Sequence, residues 1–428
     1  MMRECQATYK NGILFRQWRK PVAGEPHEYF HPFEEKMPPG ASDPVTPWLA
    51  GGQGQRYDQT VSLGSLLSAH QHGPKGINAP AWQGLVPYGY HLDAVLLGRY
   101  LKRKAVAAGV EHRLATIEKV SIEGGEIRAL HCQDGTLEAD LYIDCSGFSQ
   151  ALIGPLKADN WQSFEAALPC NRAVALQLPY QDGQAPRPYT TATALGEGWV
   201  WEIDLQGRRG NGYVYDGNRL TEAEAEAQLR TFLGCGDQGD AKHLKMKIGC
   251  LREFWVGNCV AVGLSGGFIE PLESTGLHLI NLSVRLLATH LNQARPAQAV
   301  RDNYNRLLNG IYDDLKRFII LHYCLTDRDD TEFWRQAAQS HRHSPVLSAQ
   351  LTLWQHKVCE YLDLAGSYST VFSDENYRYV LYGMDHRPKL PTASEADAQQ
   401  ARNRLQRLNQ LLEQALAQSA PHRDQLPG

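Results

Sequence analysis

Residues 258–280 carry the pattern best suited to binding and catalysis. The pattern predicts a buried strand, a glycine-rich turn at residues 263–267, the motif Phe-Ile-Glu-Pro-Leu-Glu-Ser-Thr-Gly at residues 268–276, and then a helix. The start of a helix leaves backbone N–H groups unpaired at the positive end of the helix dipole. Glycines let a ligand approach such a backbone closely. The segment therefore predicts a site for an anion or for the electron-rich edge of a cofactor. The alternative is a helix that Ser274 caps and that binds nothing.

A second alternative comes from the same segment. Residues 263–267, Gly-Leu-Ser-Gly-Gly, fit the G-x-S-x-G pattern of a hydrolase nucleophile turn and follow a predicted strand. In hydrolases the helix begins directly after the serine. Here two glycines follow Ser265, and Pro271 postpones the helix, so the hydrolase interpretation is disfavoured.

Composition and charge disfavour several classes of function. Of 428 residues, 43% are hydrophobic and 21% are charged, as in an ordinary soluble globular protein, and the formal net charge of −4 does not favour binding to nucleic acid or to an anionic membrane. The nine cysteines are scattered without a C-x-x-C pair, which indicates no disulfide framework, no metal site and a reducing, cytoplasmic setting. The longest apolar stretch, residues 277–291, is interrupted by Asn281, Arg285 and His290, so we expect a core-facing helix and no membrane span.

The order of predicted elements indicates a mixed α/β region followed by a mainly helical one, with the boundary near residue 295. Residues 7–18 alternate as a strand does, whereas residues 19–75 are rich in Pro, Gly and His and predict long irregular loops. Further strands are predicted at 110–120, 126–132, 137–145, through 168–216 and within 251–262. Helices are predicted at 92–108, 221–233, from about 274, and at 298–325, 329–340, 345–364 and 395–418.

Several motifs, in order along the chain, resemble those of flavin-dependent tryptophan halogenases. Residues 267–276 resemble the segment that faces the flavin in that family, and residues 198–204, Gly-Trp-Val-Trp-Glu-Ile-Asp, are similar to its W-x-W-x-I-P signature. Other similar segments are residues 29–33, 144–148, 208–215, 322–324 and 333–334. The resemblance implies an α/β fold of the FAD-binding monooxygenase type (p-hydroxybenzoate-hydroxylase-like). It would have a mixed-sheet core domain over residues 1–295 and a mainly helical substrate-side domain over residues 296–428.

The resemblance also implies a cofactor and a reaction. In this family FAD is used as FADH2, which a separate NAD(P)H-dependent flavin reductase delivers. FADH2 reacts with O2 to give a flavin hydroperoxide, and chloride or bromide attacks its distal oxygen. The hypohalous acid that forms then travels to an electron-rich, indole-like ring.

The catalytic and halide-binding residues follow from the same motif. Glu273 matches the family's catalytic carboxylate, and Ser274 resembles the neighbour that orients the site. Electrophilic substitution on an indole passes through a cation that must lose a proton, and a fixed carboxylate stabilises that cation and accepts the proton. Taken alone, a glutamate at a helix start is an ordinary dipole partner. Thr275 and Gly276 match the residues whose backbone N–H groups hold the halide.

The remaining predicted contacts also come from the resemblance. His31 and Phe33 match positions that line the substrate pocket, where Phe33 suits stacking on an indole. Trp199 and Trp201 match the pair that keeps the substrate away from the flavin; the alternative is two core tryptophans. The residues that we expect to contact FAD are Asp144, Gly147, Gly263, Leu264 and Ile280.

Some features depart from the family pattern. We find neither the G-x-G-x-x-G unit that grips the FAD pyrophosphate nor the family's catalytic lysine, and we assign Lys10 to a strand rather than to the site. The chain is thus expected to begin after that unit, to bind FAD poorly, to halogenate little and to expose a hydrophobic sheet edge. Asp204 replaces the proline of the signature and is expected to loosen the motif.

Two other functions stay open at this point. A flavin-dependent monooxygenase on the same scaffold would share FAD and lack the W-x-W block, and a non-catalytic remnant would neither retain FAD nor turn over. The C-terminal region, including residues 377–385, resembles the family weakly, so the aromatic substrate stays open between free tryptophan, indole, a larger natural-product scaffold and a carrier-bound substrate. Homodimers are common in such enzymes.

Overall fold

The computed structural model describes residues 1–22, 24–33, 43–52, 54–80, 82–291, 296–364 and 371–427. Within these ranges the chain forms strands that we number β1 to β20 and helices α1 to α11. The strands are β1 Thr8–Lys10, β2 Gly12–Arg16, β3 Glu28–Pro32, β4 His72–Gly76, β5 Gly89–His91, β6 Ile117–Glu123, β7 Glu126–Cys132, β8 Gly135–Leu137, β9 Tyr142–Asp144, β10 Trp161–Ser163, β11 Arg172–Leu178, β12 Thr190–Leu195, β13 Gly198–Asp204, β14 Arg209–Tyr215, β15 Lys242–Lys245, β16 Gly249–Leu251, β17 Trp255–Val256, β18 Cys259–Ala261, β19 Gly267–Phe268 and β20 Ser419–Pro421. The helices are α1 Val45–Gly51, α2 Tyr57–Val61, α3 Leu63–Ala69, α4 Ala94–Ala107, α5 Glu222–Leu233, α6 Gly276–His290, α7 Gln298–Cys324, α8 Glu332–Ala337, α9 Pro345–Leu353, α10 Asp374–Gly383 and α11 Glu395–Leu416.

A seven-stranded sheet carries most of the segments that resemble functional motifs. Its strand order is β15-β11-β14-β13-β12-β2-β3. Strand β2 pairs in parallel with β12 and antiparallel with β3, so that Ile13 lies opposite His31 at the edge of the sheet. Strand β13, which carries the two tryptophans, lies between β12 and β14. The sheet therefore brings the first 33 residues against the middle of the chain.

One hydrophobic core joins this sheet to the helices. It contains buried side chains from both halves of the chain, among them Trp18, Trp199 and Tyr323. Helix α7 runs through this core, and its last two turns, including His322, are almost entirely buried. The predicted boundary near residue 295 lies outside the described residues, and the two-domain division stays a prediction.

The predicted order of a mixed α/β region followed by a helical one is confirmed. The helices predicted at 92–108, 221–233, 298–325 and 395–418 agree with α4, α5, α7 and α11 to within two residues. The loop prediction for residues 19–75 is wrong in part, because α1, α2 and α3 form there. Each of these short helices packs on α11, and the local sequence does not indicate this packing.

Some predicted strands are shorter or divided. The strand predicted over residues 137–145 forms as β8 and β9, and the one within 251–262 forms a hairpin of β17 and β18, whose turn contains Gly257 at φ +56°. Strand β9 is the outer strand of the sheet β17-β18-β9, and its Ile143 is 48% exposed. None of the helices in the described ranges combines the length and the apolar character that crossing a bilayer requires.

Trp201 is accommodated only because its neighbour on β14 is a glycine. Trp201 lies opposite Gly212, and a Cβ atom at Gly212 would lie 2.0 Å from the Trp201 ring. We therefore expect Gly212→Ala to lower the free energy of unfolding by about 1–3 kcal/mol, because the ring cannot move without disturbing the core. Urea denaturation followed by tryptophan fluorescence measures this.

Gly210→Ala is the matched control on the same strand. A Cβ atom at Gly210 would lie 3.6 Å from its nearest neighbour, a terminal nitrogen of Arg208. The control should change stability by no more than about 0.5 kcal/mol. Equal effects of the two substitutions would contradict the packing account.

Candidate active site

A reversal of the backbone at Ser274 organises the site. A 3-10 turn at Pro271–Glu273 ends at Ser274, which adopts the left-handed conformation with φ 57°, and α6 begins at Gly276. This conformation is unfavourable for residues other than glycine by about 1–2 kcal/mol, so surrounding contacts must maintain it. The reversal turns Glu273 into the protein, where it is 9% exposed, and leaves Gly276 exposed at the start of the helix.

The start of α6 has no side-chain cap. The N-cap residue is Thr275, and its side chain forms no capping hydrogen bond. The alternative in which Ser274 caps the helix is therefore wrong. A Cβ atom at Gly276 would meet no atom within 4 Å, so the first turn is open to a small anion. Thr275 and Gly276 lie at this uncapped start, and halide binding by their backbone N–H groups stays a prediction.

Glu273 is held by two histidines. His31 Nδ1 lies 3.0 Å from each carboxylate oxygen of Glu273, and His322 Nε2 lies 2.7 Å from Oε1. Burial alone would raise the pKa of Glu273, but the charge interactions and hydrogen bonds with His31 and His322 outweigh it and lower this pKa to about 2. Glu273 is therefore a carboxylate at neutral pH.

Lys10 belongs to the same site, and its exclusion on sequence grounds is wrong. The prediction that Lys10 lies in a strand is confirmed, but its Nζ donates a hydrogen bond of 2.8 Å to Ser274 Oγ and lies 6.0 Å from the centre of the Phe33 ring. Burial lowers the pKa of Lys10 to about 8, although Glu273 opposes the shift. Lys10 also supports the left-handed Ser274 through this hydrogen bond.

Lys10, His31, Phe33, Glu273 and Ser274 line one cavity of about 420 Å³. Five residues predicted from the sequence border it: His31, Phe33, Glu273, Ser274 and Thr275. The sequence interpretation missed other lining residues, which are Lys10, Gly12, Ile13, Pro32, Pro87, His278, Val371, Phe372 and Asn376. Val371, Phe372 and Asn376 lie on α10 or just before it, where the resemblance to the family is weak. No local sequence pattern indicates that they line a cavity.

The two tryptophans of β13 lie elsewhere in the core. The Trp199 and Trp201 rings are 6.3 Å apart in an edge-to-face arrangement on one face of the strand. Trp199 is 1% exposed, and neither tryptophan is among the described residues that line the cavity of Glu273. Their role in separating substrate from flavin stays a prediction.

Four of the five residues expected to contact FAD belong to segments that contact one another. Gly147 donates its N–H to Ser265 Oγ at 2.9 Å, and Gly263 lies 3.5 Å from the Ile280 side chain, counted from a Cβ atom built on the glycine. Leu264 and Ile280 are 42% and 36% exposed, so both present apolar surface to solvent, and their contact with FAD stays a prediction. Gly147 and Gly263 have φ angles of +73° and +70°, which only glycine adopts easily.

Asp144, the fifth residue expected to contact FAD, is hydrogen-bonded within the protein. Its side chain is fully buried, and its Oδ1 accepts hydrogen bonds from Ser146 N and Oγ and from Ser265 Oγ. Its Oδ2 accepts from the backbone N–H groups of Leu152 and Ile153. Asp144 therefore shapes the turn that contains Gly147, and its expected contact with FAD stays a prediction.

Asp204 does not loosen the W-x-W strand as expected. It is 2% exposed and accepts hydrogen bonds from Arg187 N at 2.9 Å, Nε at 2.9 Å and a terminal nitrogen at 3.1 Å. Its backbone carbonyl accepts a hydrogen bond of 2.6 Å from Thr8 Oγ1. The aspartate thus ties the end of β13 to β1, the strand that carries Lys10.

Comparisons with known proteins agree with this geometry. The sequence model of the family described as "Tryptophan halogenase" matches residues 1–400. Tryptophan 6-halogenase SttH from Streptomyces toxytricini is 33% identical over 359 residues, which cover 78% of this chain and 68% of the relative. The 7-chloro-L-tryptophan 6-halogenase KtzR from Kutzneria sp. (strain 744) is 33% identical over 379 residues, which cover 83% of this chain and 72% of the relative.

Solved structures share the fold. The crystal structure of a tryptophan halogenase from Shewanella frigidimarina NCIMB 400 has a TM-score of 0.90 and 28% identity and covers 99% of this chain and 83% of that chain. Tar14, a tryptophan C-6 flavin-dependent halogenase (chlorinase) from taromycin biosynthesis, has a TM-score of 0.88 and 32% identity. The match covers 99% of this chain and 86% of that chain. The fold is thus that of flavin-dependent halogenases, as the resemblance implied. The chain belongs to the tryptophan halogenase family of enzymes.

The lowered pKa of Lys10 predicts a particular pH dependence of stability. Its folded-state pKa of about 8 lies below the usual value of 10.5, so burial of the charged amine destabilises the fold fully below pH 8 and progressively less as the pH rises towards 10.5. We expect wild type to gain up to about 3 kcal/mol of unfolding free energy relative to Lys10→Met between pH 7 and pH 10. Urea denaturation at each pH measures this difference.

Lys102→Met is the control, because Lys102 is exposed on α4. Its stability difference from wild type should not change with pH over the same range. A flat difference for Lys10→Met would show that the Lys10 amine titrates normally.

Proposed function

We propose that this protein catalyses the flavin-dependent chlorination or bromination of a small indole-like aromatic compound, with tryptophan itself as the first substrate to test. The observation that carries the proposal is that the Glu273 carboxylate and the Lys10 ammonium border the same cavity as Phe33, beside the uncapped start of α6. Membership of the tryptophan halogenase family supports the same reaction.

The residues present fit a flavin. The glycines at 147 and 263 and the exposed side chains of Leu264 and Ile280 would hold FAD in its reduced form. When bound, reduced FAD supplies, with O2, the oxidising power that converts chloride or bromide into an electrophilic halogen. A separate NAD(P)H-dependent flavin reductase would provide FADH2. We infer a cytoplasmic setting from the nine free cysteines.

Side-chain and backbone groups of the chain would bind the halide, hydrogen-bond the hypohalous acid and separate the substrate from the flavin. The backbone N–H groups of Thr275 and Gly276 would bind the halide at the helix start. Lys10, which is largely protonated at pH 7, would donate a hydrogen bond to hypohalous acid. Trp199 and Trp201 would form the barrier that keeps the aromatic substrate from the flavin.

Phe33 and Glu273 would act on the aromatic ring. The Phe33 ring offers a face for stacking. Once halogen has added to the ring, the C–H bond at that carbon breaks, its electron pair restores aromaticity, and the proton passes to a Glu273 oxygen. Oε2 is the freer oxygen for this step, because Oε1 also lies against His322. The left-handed Ser274 would keep this carboxylate directed at the ring.

Glu273→Gln tests the proposed role of the carboxylate. The amide keeps the shape of the side chain and cannot accept a proton, so we expect kcat for halogenation to fall at least about 100-fold. The full chain is supplied with FAD, a flavin reductase, NADH, O2 and bromide, and brominated and hydroxylated products from a panel of indoles are quantified by mass spectrometry.

Glu270→Gln is the matched control three residues earlier. Burial raises the pKa of Glu270 to about 7, and its carboxyl accepts a hydrogen bond of 2.9 Å from Tyr323, which an amide oxygen also accepts. We expect this control to keep activity within about 10-fold of wild type. Hydroxylated product in place of brominated product from wild type would favour a monooxygenase.

A further inference from the structure

Strand β1, which carries Lys10, lies between β5 and a short segment rich in proline. It pairs with β5 on one side. On its other side, the N–H groups of Tyr9 and Asn11 point towards residues 186–188, Pro-Arg-Pro. Because proline has no N–H, this segment offers β1 the carbonyl oxygens of Pro186 and Pro188. Asn11 N donates directly to the Pro188 carbonyl at 2.6 Å.

An imidazole ring bridges the two segments two residues earlier. His422 Nε2 accepts the backbone N–H of Tyr9 at 3.2 Å, and His422 Nδ1 donates to the Pro186 carbonyl at 2.8 Å. A backbone N–H only donates and a carbonyl oxygen only accepts, so each ring nitrogen has one defined role. The connection between Tyr9 and Pro186 therefore passes through the ring instead of forming directly.

The surroundings of His422 favour the neutral ring that this bridge requires. The side chain is 1% exposed. Burial lowers the pKa of His422, and the Pro186 carbonyl and the Asp204 carboxylate oppose this shift only in part. A neutral imidazole offers one N–H and one lone pair, which match the Pro186 carbonyl and the Tyr9 N–H.

The segment of residues 419–425 holds His422 in this place. Its strand β20 pairs with β4. The backbone N–H of His422 donates to the Gln71 carbonyl at 2.9 Å. The Gln425 side chain accepts from Lys75 N at 3.0 Å and donates to the Lys75 carbonyl at 3.1 Å. The ring is thus fixed from the side of β4 and is independent of β1.

We propose that His422 is a positioning residue for Lys10, because its hold on the Tyr9 amide fixes the next residue so that the Lys10 amine reaches Ser274 and the cavity of Glu273. His422 is not among the described residues that line this cavity, so it acts only through the backbone of β1. The kinetic consequence rests on the proposed function, whereas the structural coupling does not.

The shortness of β1 makes Lys10 sensitive to this contact. The strand has three residues, and the hydrogen bonds of Tyr9 and Asn11 flank Lys10 on the side away from β5. A buried N–H without an acceptor is unfavourable, so the strand would move until water or another acceptor reached Tyr9. Lys10 would move with it, and its Nζ would lose the 2.8 Å hydrogen bond to Ser274 Oγ.

Two substitutions of His422 test the coupling without flavin or substrate. In His422→Gln the amide oxygen can take the place of Nε2, whereas the shorter side chain of His422→Asn reaches only the place of Nδ1 and leaves Tyr9 without an acceptor. We expect the Tyr9 amide hydrogen to exchange at least about 10-fold faster in His422→Asn than in wild type, and within about threefold of wild type in His422→Gln.

NMR of the full chain labelled with 15N-tyrosine measures this exchange, and the signal missing from Tyr9→Phe provides the assignment. A wild-type exchange rate in His422→Asn would overturn the proposal. Equally fast exchange in His422→Gln and His422→Asn would also overturn it, because the acceptor at the place of Nε2 would then have no effect.

Lys10 itself reports whether the strand transmits the change. Burial lowers the pKa of Lys10 to about 8. Displacement towards water should raise the midpoint of the Lys10 13C titration by about one pH unit or more in His422→Asn, because burial causes the lowering. His422→Gln should keep the wild-type midpoint, and Lys10→Met assigns the signal. A wild-type midpoint in His422→Asn would overturn the positioning of Lys10.

His386→Asn is the control for the loss of a buried histidine elsewhere. Burial also lowers the pKa of His386, and its Nε2 donates to the Leu351 carbonyl at 3.2 Å. This variant should leave the Tyr9 exchange rate and the Lys10 midpoint unchanged. The same changes in His386→Asn as in His422→Asn would indicate general destabilisation and overturn the proposal.

A kinetic arm tests the consequence for the proposed reaction. In His422→Asn we expect kcat for halogenation to fall at least about 10-fold with KM for the indole within about threefold, because Lys10 is displaced while Phe33 stays in place. His422→Gln should restore kcat to within about threefold of wild type. A change in KM alone would contradict the role. If wild type makes no halogenated product, the exchange and titration results still decide the coupling, so failure of the proposed function is distinguishable from failure of this inference.

Discussion

An ionised carboxylate inside the protein is the constraint on which the rest of the site depends. Glu273 is nearly inaccessible to solvent, and a buried charge without partners costs several kcal/mol. The partners come from distant parts of the chain: His31 from β3 and His322 from α7, with Asn376 of α10 behind His31. Because each must be in place for the carboxylate to be tolerated, the sheet edge, the long buried helix and the C-terminal helix are held in one arrangement around the site.

The reversal at Ser274 links this carboxylate to the anion-binding helix start. One left-handed residue directs Glu273 inward and leaves the first turn of α6 uncapped and open. The Lys10 ammonium supports the reversal through Ser274 Oγ and adds a positive charge to the same cavity. Strain of this kind persists only where surrounding contacts over-determine it, and such positions cluster at functional sites.

The parts of the site that could be predicted are those with a local signature. Short local sequence patterns indicate the chemistry of three parts of the site: the Glu-Ser-Thr-Gly motif, the start of α6 and the His31–Phe33 segment. Lys10 could not be identified in this way, because on a short alternating strand a lysine has the same pattern whether it faces solvent or a cavity. Its direction is set by the pairing of β1 with β5 and by the hydrogen bond from Thr8 to the end of β13.

The long-range partners were beyond sequence reasoning for a related reason. His322 and Asn376 lie 49 and 103 residues from Glu273 along the chain, and only tertiary packing brings them together. For Asp204 the sequence interpretation was wrong for the same reason. The absence of the motif proline predicted a looser strand, whereas Arg187, seventeen positions away, donates hydrogen bonds that hold the aspartate in place. Helices α1 to α3 were missed because short helices are stabilised by what they pack against rather than by their own sequence.

The central claim is that Glu273, Lys10 and Phe33 act on one aromatic ring in one cavity. A crystal structure of the full chain with tryptophan or indole bound tests it most directly. The account predicts a ring stacked on Phe33, with a ring carbon about 3–3.5 Å from Glu273 Oε2 and the Lys10 amine directed at the same edge. A ring bound outside this cavity, or one that turns no C–H edge towards Glu273, would contradict it.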